Sequence, residues 1–413
     1  MRCRLLSLAF WGLLLGTMMV FVAGTSYGAE YRIKLAARMN AVGSRFGSFA
    51  IEEGYYPAFQ PVVMNDAGDL ALALLTGPNG KAAVWVREHN WLAGSIVFEA
   101  FNSNQQISEI TSDGDDGVLF TLTEEARALG IYRYSFAAGK VTLLTAEPKG
   151  LSAYRALRSL NNGTYAAKLS FGALAQELSY FSDGIWHKLA STRSIDAASK
   201  FYFFHGVHFV NKLDVVVHAL HSISAGDSAI YYLRPGRDPE LLVAAGDNEG
   251  DAGSGFLAPW LVGNERGDLL YSRYAKRGGL KWILRRTNGQ ILTIPPRDVE
   301  GQAELFPAVL NDAGMVALRI NVNGRSGIYL STDAILTPIV RGGDQVVTDL
   351  GVATIGKVDA QTGIFNNAPT MNRRGDVAFV CDLKTSKSFA QSIEDQAIEE
   401  GIGIGLFIAR RLD

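Results

Sequence analysis

Two cysteines in 413 residues leave this chain almost no covalent means of holding itself together. Cys3 sits among the first residues and Cys381 stands alone, so losing the N-terminus excludes any intramolecular disulfide. Cys381 falls in the run Val377-Ala378-Phe379-Val380-Cys381 and reads as a small buried hydrophobe rather than a reactive thiol. An excess of charge of either sign is missing too. Lys and Arg number 39 against 41 Asp and Glu, which offers no basic patch to a nucleic acid. Long helical periodicity is missing apart from one insert. No Gly-x-Ser-x-Gly elbow and no His-Glu-x-x-His occurs. Thr76-Gly77-Pro78-Asn79-Gly80-Lys81-Ala82 lacks the first glycine and the hydroxyl of a phosphate loop. Nothing in the sequence singles out a carboxylate pair for glycoside chemistry among the 41 acids.

What is present is apolar. Hydrophobic residues make up 48% of the chain and charged ones 19%, a balance that buries a large core. Arg2 and Arg4 precede an apolar run over 5–23, and Gly24, Ser26, Gly28 and Ala29 follow it. Basic start, apolar core and small-residue exit are the parts of a secretory signal peptide, expected over 1–29 with cleavage after Gly28 or Ala29. The alternative is an uncleaved anchor, since the run is about long enough to span a bilayer of roughly 20 residues. Losing 1–29 moves the formal charge from −2 to −4. No second long apolar run follows, so 30–413 reads as one exported, monomeric domain that meets a membrane only through such an anchor.

Self-similarity organises the rest. Asn65-Asp66-Ala67-Gly68-Asp69-Leu70-Ala71-Leu72 returns as Asn311-Asp312-Ala313-Gly314-Met315-Val316-Ala317-Leu318 and as Asn372-Arg373-Arg374-Gly375-Asp376-Val377-Ala378-Phe379. It returns again as Asn264-Glu265-Arg266-Gly267-Asp268-Leu269-Leu270-Tyr271, and in weaker form at Gly114–Gly117, Asn161–Gly163 and Asn211–Asp214. Asn tolerates turn geometry and Gly supplies a positive φ, while apolar runs flank each turn, so each copy reads as a β-hairpin. A third run such as Gly327-Ile328-Tyr329 and a fourth such as Leu336-Thr337-Pro338-Ile339-Val340 complete four strands, one propeller blade. Seven anchors predict an all-β, seven-bladed β-propeller; six or eight blades, or two stacked sheets, are the alternatives. The last blade runs out of chain after its third strand. Tyr31-Arg32-Ile33-Lys34-Leu35-Ala36-Ala37 is expected to supply its fourth and close the ring. Two irregularities interrupt the repeat: an insert at 384–402, with a short amphipathic helix expected over 388–400, and a Gly-rich connection over 344–368.

The pattern Asn-x-x-Gly-x-x-Ala-Phe, with a Pro-containing strand before it and a Gly-Ile-Tyr/Phe strand after it, resembles a bacterial family, the exported NxxGxxAF tandem-repeat proteins. The resemblance covers essentially all of 30–413. It is sharpest at 65, 311 and 372, and implies a propeller-like, secreted or surface protein without assigned activity. The C-terminal sorting anchor frequent in that family has no counterpart in Arg410-Arg411-Leu412-Asp413.

Four of the six histidines crowd one repeat as His205-Gly206-Val207-His208 and His218-Ala219-Leu220-His221. Imidazole is a common metal ligand. A hairpin symmetric about 211–214 sets His208 opposite Val217 and His205 opposite Leu220. Alternation then gives His208 and His221 one face, His205 and His218 the other. Four ligands do not converge on one ion, and the expectation is that one pair lines the channel. Asp113-Gly114-Asp115-Asp116 and Asp247-Asn248-Glu249-Gly250-Asp251 offer oxygen ligands to Ca²⁺, but the repeat needs turns at both places. No cofactor is therefore expected, with Ca²⁺ or a transition metal as the alternatives. The functional expectation is an exported, non-enzymatic binding module for a protein or glycan partner. A carbohydrate-active hydrolase or lyase acting at the channel mouth and a structural envelope component are its rivals.

Overall fold

The computed structural model describes residues 31–39, 55–57 and 60–412. Within that span, 77–79, 92, 147, 161–162, 211–212, 225, 248–255, 276–278, 297–298, 300, 305, 357–362 and 387–398 are not described. The proposed signal peptide, Asn161 and Asn211, most of the Asp247–Asp251 stretch and most of the expected helix over 388–400 thus lie outside the described residues. The end of that helix does not form as expected: Glu399 and Glu400 begin the strand Glu399–Arg411.

The described residues form seven antiparallel sheets. We number the blades by chain order: blade 1 over 55–99, blade 2 over 105–146, blade 3 over 153–191, blade 4 over 203–244, blade 5 over 256–294, blade 6 over 301–341. Blade 7 takes its strands from 345–411 and its outermost strand from the other end of the chain. Tyr31–Met39 pairs antiparallel with Glu399–Arg411, with Tyr31 opposite Arg411 and Met39 opposite Ile404. The stretch 344–368, expected as a plain connection, instead holds a hairpin, Gln345–Thr348 with Gly351–Ile355, that joins blade 7.

Seven core clusters of buried side chains lie one at each junction between neighbouring blades. Leu72, Trp85 and Leu406 belong to the cluster joining blade 7 to blade 1, and Ile328, Phe379 and Phe407 to the one joining blade 6 to blade 7. A cluster at the 7–1 junction is what makes this a closed ring. Each second strand is pressed between two neighbours, so it is buried on both faces and reads as a mostly apolar run rather than an alternating one. Val215–Leu220 and Val316–Val322 show this, whereas the outermost Ile185–Ser191 is largely open to solvent.

The repeated turn explains its own sequence. In Asn65–Asp69 the Asn65 Oδ1 accepts from the N–H of Gly68 (2.9 Å) and of Asp69 (2.8 Å), and its Nδ2 donates to Asp69 Oδ2 (2.8 Å). Gly68 stands at φ +93°, a conformation few side chains tolerate. The Asp after the Gly then reaches onward: Asp69 accepts from His89 N, Asp268 from Thr287 N, and Asp376 from Arg411 N. One buried carboxylate thus ties the first turn of the blade to a later one. At the weak copy of blade 2 the left-handed residue is Gly114, while Gly117 begins the strand Gly117–Glu124, where a Cβ would meet the Tyr134 carbonyl at 2.0 Å.

Candidate functional site in the central channel

The innermost strands line the ring's axis, and all are broken at mid-length. Register slips between Ile107 and Glu109, Arg155 and Arg158, Phe204 and Gly206, Leu257 and Leu261, and Asn366 and Thr370. In blades 1 and 6 the strand is split outright. Pro61, Pro259, Pro307 and Pro369 lie at or beside four of these breaks, where a missing N–H ends the ladder. Ala156 reaches a positive φ of 52° at a further break, and Asn367 one of 61° at the break that also holds Pro369.

Breaking the ladder frees backbone carbonyls, and side chains of the second strands reach in to satisfy them. Lys168 Nζ donates to Phe204 O (3.1 Å), Ser272 Oγ to Trp260 O (2.9 Å) and Arg319 Nη1 to Asn367 O (3.3 Å). Thr121 Oγ1 meets Ser108 Oγ at 2.7 Å. Lys168, Ser272 and Arg319, with His218, occupy the fourth position of their second strand and Thr121 the fifth of its own; blades 1 and 7 have Ala73 and Val380 at the fourth. A polar residue at a fixed place inside apolar strands was a readable signal. The register breaks it serves were not, which is why Lys168 escaped the sequence reading.

The channel wall is divided in two. On the arc of blades 6, 7, 1 and 2 it lines a half-open pocket of about 370 Å³, walled by Pro61, Val63, Met64, Ile110, Pro307 and Pro369 among others. On blades 2 to 4 the wall is charged. Arg155, exposed to the channel, donates to Ser108 O (2.8 Å) and lies 3.8 Å from the carboxylate of Glu109. Gln60 Nε2 donates to the same carbonyl (3.0 Å), so the apolar and charged arcs meet at Ser108 and Ile110. Loss of hydration pushes the Glu109 carboxyl up to about 7, although Arg155, Lys168 and the Ala156 N–H pull the other way. Loss of hydration brings Lys168 down to about 8 against the attraction of Glu109.

The histidines divide between this site and elsewhere. The hairpin of blade 4 turns through Val210–Asp214 rather than symmetrically about 211–214, so His208 faces Val216 and not Val217. His205 lies in the register break instead of opposite Leu220, which pairs with Phe203. The expected His205–His218 pair does form, with rings 5.3 Å apart. His205 opens into the channel beside Lys168, while His218 is buried and neither ring nitrogen is hydrogen-bonded. The expected partnership of His208 with His221 does not form. His208 Nε2 meets Arg158 of blade 3 at 2.8 Å, and His221 contacts Asp227 (3.3 Å) and Tyr231 Oη (2.9 Å). Among the described residues no three His, Cys, Asp or Glu side chains gather as a cation site requires. Asp113 is engaged by Arg133 and by Ser159.

No protein-family model matches the chain, and no curated protein matches it either. Solved structures do. A prolyl endopeptidase superposes with a TM-score of 0.52 at 10% identity, over 86% of this chain and 50% of its own. An oligogalacturonate lyase in complex with manganese gives 0.51 at 9%, over 93% and 97%. A puromycin-hydrolyzing peptidase of Mycobacterium tuberculosis gives 0.50 at 11%, over 85% and 52%. The chain thus spans about half the length of the two peptidases. At such identities the likeness is one of fold alone.

Proposed function

We propose that this chain is an exported, non-enzymatic binding propeller whose protein or glycan partner engages the central channel. The observation that carries this reading is the two-sided wall: an apolar pocket on one arc and Arg155, Lys168 and Glu109 on the other. Concave, largely apolar sites with a few converging polar groups are what ligands fill. Export rests on the basic, apolar and small-residue succession of 1–29. The NxxGxxAF resemblance supports the same address.

One observation favours a second reading. A carboxyl held near 7 beside a lysine held near 8 is suited to general acid–base work, as a glycan hydrolase or lyase needs. The deciding experiment incubates residues 30–413 with cell-wall and extracellular polysaccharides and secreted polypeptides, following complex formation and new chain ends together. Complexes without new ends are expected; new ends that vanish in Glu109→Gln would replace binding by catalysis.

A further inference from the structure

We propose that the channel takes a carboxylate joined to an apolar group, with the carboxylate held by Arg155 and Lys168 and the apolar group in the pocket of blades 6, 7, 1 and 2. This deepens the binding reading and rests on it.

Three observations converge. First, Arg155 and Lys168 each spend one hydrogen bond on a backbone carbonyl, at Ser108 and Phe204, which holds their cationic heads in place. A guanidinium and an ammonium have donors to spare after one such bond. Second, among the described residues the acid that acts on both cations is Glu109, which lies 3.8 Å from Arg155 and keeps its proton to about pH 7. Below that pH the pair faces the channel as two positive charges with a neutral carboxylic acid between them. An incoming carboxylate matches that arrangement, taking charge-assisted bonds from both cations and one from the protonated Glu109. Third, the adjoining pocket offers about 370 Å³ walled mainly by proline, aliphatic and aromatic side chains, with Thr111, Ser112, Asn367 and Thr370 among them. So apolar a wall favours an alkyl chain or an apolar side chain, which gains by leaving water, over a sugar, whose many hydroxyls would find few partners there. Gln60 and Ser108 stand where the two arcs join, and Ile110, which walls the pocket, follows Glu109 in the chain.

Two sources supply this chemistry: a free alkanoic acid, and the C-terminus of a polypeptide ending in apolar residues. The other ionisable groups facing the site are His205 and, behind it, His218. Loss of hydration depresses both, so neither gains charge above pH 6.5. Within pH 6–7.5 Glu109 is therefore the group that titrates, and its ionised form competes with the ligand for Arg155 and Lys168. Lys168 itself has lost half its charge by about 8, which weakens binding further as pH rises.

The test is calorimetric titration of residues 30–413 with butyrate, octanoate and decanoate, with decanol, and with acetyl-trileucine as free acid and as amide. Decanoate or the free-acid peptide is expected to bind, the stronger of the two naming the source. Decanol and the amide bind at least tenfold more weakly, and butyrate falls below decanoate. Affinity drops about fourfold from pH 6 to 7.5, as the protonated fraction of Glu109 falls, with most of a proton taken up on binding at pH 7.5. Glu109→Gln retains binding at pH 7.5 and loses both the pH dependence and the proton uptake. Decanol binding as tightly as decanoate, or affinity independent of pH in the wild-type chain, overturns the proposal without any variant having to fold. If polysaccharides or polypeptides are bound while none of these acids is, this inference falls and the binding reading stands. New chain ends sink the binding reading itself.

Discussion

At the scale of single residues, His218 is where acid bears most directly. Burial, with His205 nearby, holds its imidazole down at about 3 from an ordinary 6.5, though the Ala258 carbonyl pulls the other way. Between those values the unfolded chain binds a proton the folded one refuses. Its contribution is therefore whole above pH 6.5 and is lost as pH falls toward 3. His208, driven to about 3 by lost hydration and then by Arg158, acts in the same direction. Asp268 adds to it: burial works against its ionised form, yet bonds from Asn264, the Thr287 N–H and Arg266 hold its carboxyl below the ordinary range. Glu109 runs the other way. Its raised carboxyl stabilises the fold fully below its ordinary 4.5, and that contribution is lost as pH rises toward 7. The Ala258 carbonyl lies close enough to favour the charged ring yet makes no full hydrogen bond with either nitrogen, so replacing the ring by an apolar side chain removes a poorly met polar group. His218→Leu is expected to raise stability at pH 7 by about 1 kcal/mol and to flatten the loss between pH 6.5 and 4.5. Denaturant midpoints at the two pH values measure both, and a loss at pH 7 would show the imidazole to be bonded in the core.

At the scale of the element, the repeated turn does more than reverse the chain. Asn264 Nδ2 donates across to Asn311 O in the next blade (3.0 Å), and Asn311 Nδ2 to Asn372 O in the one after (3.1 Å). The Arg373 N–H then reaches Asp66 of blade 1 (2.9 Å), and the Arg373 side chain lies 3.2 Å from both Asp66 and Asp312. Asn311→Ala removes an inter-blade bond and leaves the Met315 N–H without its acceptor. A loss of about 2 kcal/mol is expected in chemical unfolding, because buried groups are left unmet. A loss below a few tenths would mean water replaces the amide. These turns were legible beforehand because Asn and Gly at fixed offsets have few other uses. The cross-blade partner of the Asn was not legible, since a bond spanning 47 or 61 residues leaves no trace at the turn. The channel site was hidden for the same kind of reason. Glu109 and Arg155 become neighbours only because two inner strands lose register, and nothing in Ile107-Ser108-Glu109 or Tyr154-Arg155-Ala156 announces a slip.

At the scale of the whole molecule, closure depends on one strand. Leu35, Ala36, Ala37 and Met39 enter the two core clusters on either side of blade 7, and the buried Arg38 forms a two-pronged pair with Asp349 at 2.9 and 3.0 Å. The blade count and this closure were both readable, because a repeat that ends one strand short and begins with a spare one can only be completed by joining its ends. Removing 31–39 bares the edge of Glu399–Arg411, an open template for other chains. The shortened protein is expected to elute as oligomers and to unfold without a single cooperative transition. A peptide of residues 31–39 added during refolding should restore the monomer. A cooperative, monomeric shortened chain would show that blade 7 holds without its outer strand.

The run of Asn-to-carbonyl and turn-to-turn bonds extends from blade 5 through 6 and 7 to blade 1. Across blades 2, 3 and 4 other contacts take over, Ser159 with Asp113 and Arg158 with His208. Those three blades are also the ones that carry Glu109, Arg155, Lys168 and the histidine pair. The circle is thus built with a division of labour: four copies stay alike and keep it shut, and three are released from uniformity and free to carry chemistry. Variation introduced into the turns at 114, 161 and 211 leaves the fastenings of the other arc untouched, so this is the sector in which a new specificity can be fitted without redesigning the frame.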